Sequence, residues 1–234
     1  MLLSYGKKVS VSSSLEGYLA ENIVDEDART AWVAQSNRDM EWAQVDLQRL
    51  SSIHAIQVNF DEYGANQKGA VSGVYQSYLI YASVNGEDWS LVVDYGTKKT
   101  DTPHDYIEFE EPFKARYIKL QNKEYTVSEN FSVRDLRIFG KGQGSTPRAV
   151  NDFTVERDEA DPCKARLCWE AVPDAQGYIV RYGIAGDKLY NNFQVMGENT
   201  LEIGSLNKGV AYYFTIDAYN ENGITRTSRI KVCR

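Results

Sequence analysis

Apolar and polar residues alternate at period two along much of the chain, and no window sustains a helical period. Val45 and Leu47 alternate with Gln44 and Asp46, while Ile56, Val58 and Phe60 recur at every second position. Each set predicts a half-buried strand. Ile107 with Phe109, Ile118 with Leu120, and Leu136 with Ile138 predict three more, and residues 7–14 a weaker opening strand. Residues 79–84 run into Asn85-Gly86, a dipeptide suited to a tight hairpin, with Trp89 on the return. Many short strands with turn residues between them predict an all-β fold of antiparallel sandwiches. Residues 61–73 hold three glycines and no apolar period, a loop longer than chain reversal needs.

Residues 140–148 pack three glycines, a serine and a proline into nine positions, a composition that predicts a linker. With 234 residues the chain is long enough for two domains. The expected division is 1–140, a linker at 141–148, and 149–234. In the second part Tyr212, Phe214, Ile216 and Ala218 fall on one face of a strand.

A net charge of −7 and a pI near 5.0 argue against nucleic acid or anionic lipid as partners, since both need a basic face. A neutral polysaccharide makes no such demand. The 16 tyrosines suit stacking on sugars and suit β-structure equally well. No apolar run approaches the ~20 residues of a membrane helix, and Met1-Leu2-Leu3 is too short for the apolar core of a signal peptide.

Residues 22–32 place Asp25, Asp27 and Thr30 within six positions, an oxygen density that suits a hard cation. An EF-hand is excluded, because Thr30 and Ser36 occupy the places of its glycine and closing acid. The plainer reading is an acidic turn with Asp25 capping backbone groups. His104 beside Asp105 suggests a catalytic dyad, but the chain has two histidines, no glycine-framed serine and no suitably placed cysteine. Cys163, Cys168 and Cys233 are odd in number and fit no zinc spacing.

The run Asn22-Ile23-Val24-Asp25-Glu26-Asp27-Ala28-Arg29-Thr30-Ala31-Trp32 resembles the signature of factor 5/8 type C (discoidin-like) domains, which include family 32 carbohydrate-binding modules. The likeness continues through 41–47, 78–89, 115–120 and 135–140, and so covers nearly all of residues 4–140. Residues 75–78 and 103–106 narrow it to the domain behind the catalytic domain of some bacterial family 43 glycoside hydrolases. Glu26 stands where the family has glycine. The resemblance implies a jelly-roll sandwich and a structural Ca²⁺, with Na⁺ the alternative ion. Its ligands would be the Asp25, Asp27 and Thr30 side chains, the Asn22 and Arg134 carbonyls, and Asp135, which replaces a family glutamate. It also implies a sugar site on loops at one end: 35–40, 61–75, 96–105 and 122–131. Those loops offer Asn37, Arg38, Tyr63, Tyr75, His104, Asp105 and Tyr125. Trp32, Trp42 and Trp89 lie in motif positions and are expected in the core.

Residues 167–169, 177–182 and 206–220 resemble a fibronectin type III domain spanning 148–234. That implies a buried Tyr212 whose hydroxyl is tied to upstream backbone, a core Trp169, and one pole shared by Cys163 and Cys233. A disulfide between those two is expected in an oxidising compartment. Together the resemblances imply a non-catalytic carbohydrate-binding module and spacer from a secreted bacterial glycoside hydrolase, working outside the cytoplasm: extracellular, periplasmic or on the cell surface. Its partners would be a neutral polysaccharide or oligosaccharide and the parent chain's catalytic domain. Nucleic acid and membrane are not expected partners, and the chain should be a monomer. The alternatives are a docking module that binds no sugar, and an adhesion domain for protein or lipid.

Overall fold

Alternation at every second residue builds strands throughout the protein, whose structure is a computed structural model describing residues 1–65 and 73–234. Residues 66–72, in the middle of the expected long loop, lie outside the described residues. Contacts divide the chain into two units, Met1–Gln143 and Gly144–Arg234.

The first unit holds β1 (Lys8–Val11), a 3₁₀ turn (Ala20–Val24), β2 (Trp32–Val33), β3 (Trp42–Phe60), β4 (Gln76–Ser83), β5 (Ser90–Tyr95), β6 (His104–Tyr125) and β7 (Ser132–Gly142). Among the described residues these strands form one antiparallel sheet in the order β2-β7-β3-β6-β4-β5, with β1 also on β3. The apolar sets around 45–47 and 56–60 belong to a single strand, β3, and those around 107–109 and 118–120 to a single strand, β6. Both strands bend where their pairing slips, between Asp46 and Ser51 and again between Ile53 and Ala55. Such irregularities bend a strand and sharpen its twist. The first half of β3 carries β1 and the second half carries β7. Val45 and Leu47 from one half, and Ile53, Ile56 and Val58 from the other, line the same core. The sheet thus folds over on itself as a sandwich.

The Asn85-Gly86 hairpin forms, but its connection is wider than two residues. The Asn85 side-chain oxygen accepts the N–H groups of Glu87 at 3.0 Å and Asp88 at 2.9 Å, turning the chain locally. The glycine-rich linker is corrected at both ends. Gly140, Lys141 and Gly142 extend β7 opposite Ile53, Ser52 and Ser51. The small residue is required at Gly140, because a Cβ there would meet the Ser52 carbonyl oxygen at 2.0 Å. Beyond Gln143 the chain is tied to the second unit. The Ser145 carbonyl accepts from Asn220 and Asn222, each at 3.0 Å, and the Pro147 carbonyl from Thr225 at 2.6 Å.

The second unit contains β8 (Phe153–Arg157), β9 (Ala165–Trp169), β10 (Gly177–Gly183), β11 (Asn191–Met196), β12 (Thr200–Ile203), β13 (Tyr212–Asn220), β14 (Gly223–Thr225) and β15 (Lys231–Cys233). One sheet runs β12-β9-β8; the other runs β11-β10-β13-β14, with β15 on β13. Leu167 and Trp169 from the first sheet, and Val180, Phe214 and Ile216 from the second, share a core. Tyr212 is buried and its hydroxyl accepts the Asn207 N–H at 3.3 Å. The expected Cys163–Cys233 disulfide is not formed, and all three thiols are free. Cys163 is exposed in the turn before β9, whereas Cys233 packs into the core. Burial pushes the Cys233 thiol up, opposed by Arg157.

Candidate functional site

Because β3 and β6 are folded in half, both ends of each strand reach the same pole of the first unit. Trp42 sits opposite Gln121, and Asn59 sits opposite both His104 and Asp135. The pole therefore collects residues 34–41, 61–65, 73–75, 96–103 and 126–131, which overlap the loops expected at 35–40, 61–75, 96–105 and 122–131. Side chains fasten them together. Asn37 donates its amide to the Tyr125 carbonyl at 3.1 Å and the Ser128 carbonyl at 2.8 Å. Asn122 donates to the carbonyls of Asn37 at 2.7 Å and Arg38 at 2.9 Å.

Three of the expected ligand residues are thereby reassigned. Asn37 is a fastener between loops. Tyr125 is 2% exposed, packs edge-on against Phe131 at 5.4 Å, and hydrogen-bonds the Asp61 carbonyl, so it belongs to the core. Burial pushes its phenol up. Asp105 is buried, paired with Lys98 and accepting the Tyr78 hydroxyl at 2.7 Å. The exposed neighbour His104 instead meets Asn59 Oδ1 at 3.1 Å, so the two adjacent residues form no dyad. Tyr63 and Tyr75 are half-buried. Tyr63 packs edge-on against Tyr18 at 5.0 Å, and the Lys99 ammonium sits 5.2 Å from the Tyr75 ring. Tyr18 lies outside the expected loops. No local pattern signals it, because its position depends on where residues 12–19 cross the pole.

Arg38 does line a groove. This opening, about 520 Å³, lies between residues 12–13 and 35–41 and is walled by Ser12, Ser13, Gln35, Ser36, Met40, Glu41 and Asp39, the last paired with Lys123. Glu41 accepts hydroxyls from Ser13 at 2.8 Å, Ser36 at 2.7 Å and also Ser12. Burial pushes its carboxyl up, but those hydroxyls and the nearby Arg38 outweigh the burial and hold it below the ordinary value. The groove thus sets an ionised carboxylate beside a guanidinium and several neutral polar groups. That array suits a ligand with many hydroxyls.

The acidic loop is gathered only in part. Asp25 Oδ1 accepts the Asp27 N–H and Asp25 Oδ2 the Thr30 hydroxyl, both at 2.8 Å. Thr30 Oγ1 also lies 2.9 Å from the Asp27 carbonyl. The Asp27 carboxylate turns instead to Arg29, whose guanidinium holds it well down, at about 2. The Asn22 amide donates to the Ala31 carbonyl, Asp135 accepts from Asn59, and the Arg134 side chain pairs with Asp61. Among the described residues, no three acidic, histidine or cysteine side chains are grouped to hold a metal ion. Glu26, at the family's glycine position, has φ +61° and is clamped by Arg137 at 3.0 and 2.7 Å. The ion pair fixes the side chain of a residue whose left-handed backbone costs roughly 1–2 kcal/mol.

The three motif tryptophans separate. Trp32 is fully buried, as expected, but Trp42 and Trp89 are half-buried on the outer face of the sheet rather than in the core.

The F5/8 type C domain family matches residues 8–136, more than half of the chain. Lactadherin of Rattus norvegicus is 34% identical over 96 residues, covering 38% of this chain and 21% of lactadherin. The Mus musculus protein is 33% identical over 96 residues, covering 38% and 20%. The chain thus spans about a fifth of the length of these curated relatives. Among solved structures, chitosan-binding module 1 of a chitosanase/glucanase from Paenibacillus sp. IK-5 aligns with a TM-score of 0.51 at 20% identity, covering 60% of this chain and 99% of that chain. Module 2 of the same enzyme, in complex with chitotriose, aligns at 0.50 and 19%, covering 59% and 99%. These structural likenesses show the fold, and the family match shows the lineage: this chain belongs to the F5/8 type C domain family.

Proposed function

We propose that the first unit is a non-catalytic carbohydrate-binding module whose sugar site is the loop pole. The observation that carries this reading is the open groove where Arg38 stands beside the ionised, serine-ringed Glu41. Structural neighbours that bind chitosan support it at the level of fold. In this reading the chain is an accessory tail of a secreted bacterial glycoside hydrolase, acting outside the cytoplasm. The second unit is a fibronectin type III spacer, a reading supported by its sheet orders and by the Tyr212–Asn207 bond. Isothermal titration against chitotriose and against xylan, arabinan and galactan oligosaccharides tests the module. One series should give saturable heat, and Arg38→Ala should weaken that binding at least tenfold, about 1.4 kcal/mol. Silence across all series from the folded protein would favour the docking alternative. That alternative draws on the exposed Ile184 and Tyr190 of the second unit.

The loop cation belongs to the same proposal. The Asp25, Asp27 and Thr30 side chains, the Asn22 and Arg134 carbonyls and Asp135 would hold Ca²⁺, with Asp27 leaving Arg29 and Asp135 leaving Asn59 for the ion. At a hundredfold excess over Kd, Ca²⁺ would add about 2.7 kcal/mol. That should raise the melting temperature of the first unit, Met1–Gln143, by roughly 5–11 °C relative to EGTA. Identical melting in both would retire the cation.

A further inference from the structure

The two displaced tryptophans share one cation. On the outer face of the sheet, Tyr117, Lys119 and Gln121 of β6 lie opposite Asp46, Gln44 and Trp42 of β3. On the other side they lie opposite Ser83, Tyr81 and Leu79 of β4. The Lys119 ammonium sits 3.7 Å from the Trp89 ring and 5.6 Å from the Trp42 ring, and Trp89 packs edge-on against Tyr117 at 6.5 Å. Met40 caps the row at the polar end, where its sulfur meets the Gln121 amide at 3.1 Å.

The charges on this face are unevenly satisfied. Arg116 is held by Asp46 through two contacts of 2.8 and 2.9 Å. Asp94, on the edge strand opposite Leu79, accepts the Gly96 N–H. Lys119 has no carboxylate within ion-pair distance among the described residues. Two indole faces hold its ammonium by cation–π attraction, and burial pushes its proton affinity down. A desolvated, ring-flanked cation without a counter-charge is complementary to a carboxylate presented by a flat, partly apolar ligand. A pyranose bearing a carboxyl group has that form: its C–H face can rest on an indole while its charge reaches the ammonium. Nucleic acid and lipid headgroups fit less well, because both need a broad basic surface and the chain carries −7.

We propose that this sheet face, centred on Trp42, Lys119 and Trp89, is a second saccharide-binding surface selective for carboxylate-bearing sugar chains, separate from the groove at Arg38. The probe is tetragalacturonate, with neutral galactotetraose as control, titrated into the full chain at low salt. The acidic tetramer should bind saturably and at least tenfold more tightly than the neutral one. Added salt should weaken it, as expected for exchange of a screened ion pair. Lys119→Met should lower the affinity at least tenfold, Lys119→Arg should retain it, and Arg38→Ala should leave it unchanged. The Trp42 and Trp89 indole N–H resonances should shift on binding, a readout from the wild-type protein that needs no variant. Absence of saturable binding, equal affinity for the neutral tetramer, an unaffected Lys119→Met, or unmoved indole signals would each overturn the proposal. The two sites stay distinguishable: binding lost with Arg38→Ala belongs to the groove, whereas binding lost with Lys119→Met belongs to this face.

Discussion

Replacing Trp32 by alanine is expected to cost the first unit about 3–5 kcal/mol, the usual toll of emptying a buried tryptophan site. Trp32 is fully buried, meets Phe131 edge-on at 5.8 Å, and donates its indole N–H to the Ser13 carbonyl at 3.0 Å. Phe131 in turn packs on Phe60 and Tyr125, so the vacancy would open at the edge of a connected aromatic cluster. The strand carrying Trp32 has two residues and pairs with β7, and beside it the Val33 carbonyl accepts the Leu15 N–H and the Ala34 N–H reaches the Phe131 carbonyl, both at 2.8 Å, so the vacancy would loosen a segment that joins several loops. Domains of this size are stable by about 5–15 kcal/mol, so much of the margin would go. Urea unfolding followed by near-UV circular dichroism checks this, and a loss below about 1 kcal/mol would contradict the packing described.

Gly140→Ala is expected to be nearly as damaging although it adds only a methyl group. Its Cβ would lie 2.0 Å from the Ser52 carbonyl oxygen and 3.1 Å from Leu3. The obstructing atom is backbone, fixed by the pairing of Ser52 with Lys141 and Ile53 with Gly140. Gly140 is further tied by its N–H to the Met1 carbonyl at 2.9 Å. Neither strand can yield without breaking that ladder, so a cost near the top of the usual 1–3 kcal/mol for overpacking, or above it, is expected. Gly204→Ala is the control: its added Cβ meets nothing within 4 Å, so its effect should stay within about 0.5 kcal/mol. Since the two glycines lie in different units, each variant is compared with the wild-type transition of its own unit, and an unshifted first-unit midpoint in Gly140→Ala would show that the close approach is not rigid.

Strand content was legible because alternation is a local property. Val45, Leu47, Ile56, Val58 and Phe60 all point inward as their spacing predicts. The loop pole was legible from the family likeness, since loop order along the chain carries over even when loop residues vary. The individual ligands were not. Asn37 and Tyr125 look like ordinary polar and aromatic loop residues in sequence, yet one fastens two loops and the other fills the core. Arg38 alone among the expected sugar ligands lines the groove; its partner Glu41 was hidden inside a motif read as structural.

The sequence by itself determined the all-β class, the acidic surface, the inward-facing set of each strand and the family signature at residues 22–32. Each depends on neighbours a few positions apart. Tertiary structure alone decided that β3 and β6 run unbroken through their bends, that residues 140–142 complete a strand, and that Cys163 and Cys233 keep free thiols. It alone also decided that Trp32 is core while Trp42 and Trp89 face outward around Lys119. The physical reason is common to all of them. Period two assigns a side chain to one of two faces, but which face is covered depends on strands and loops far away in the chain.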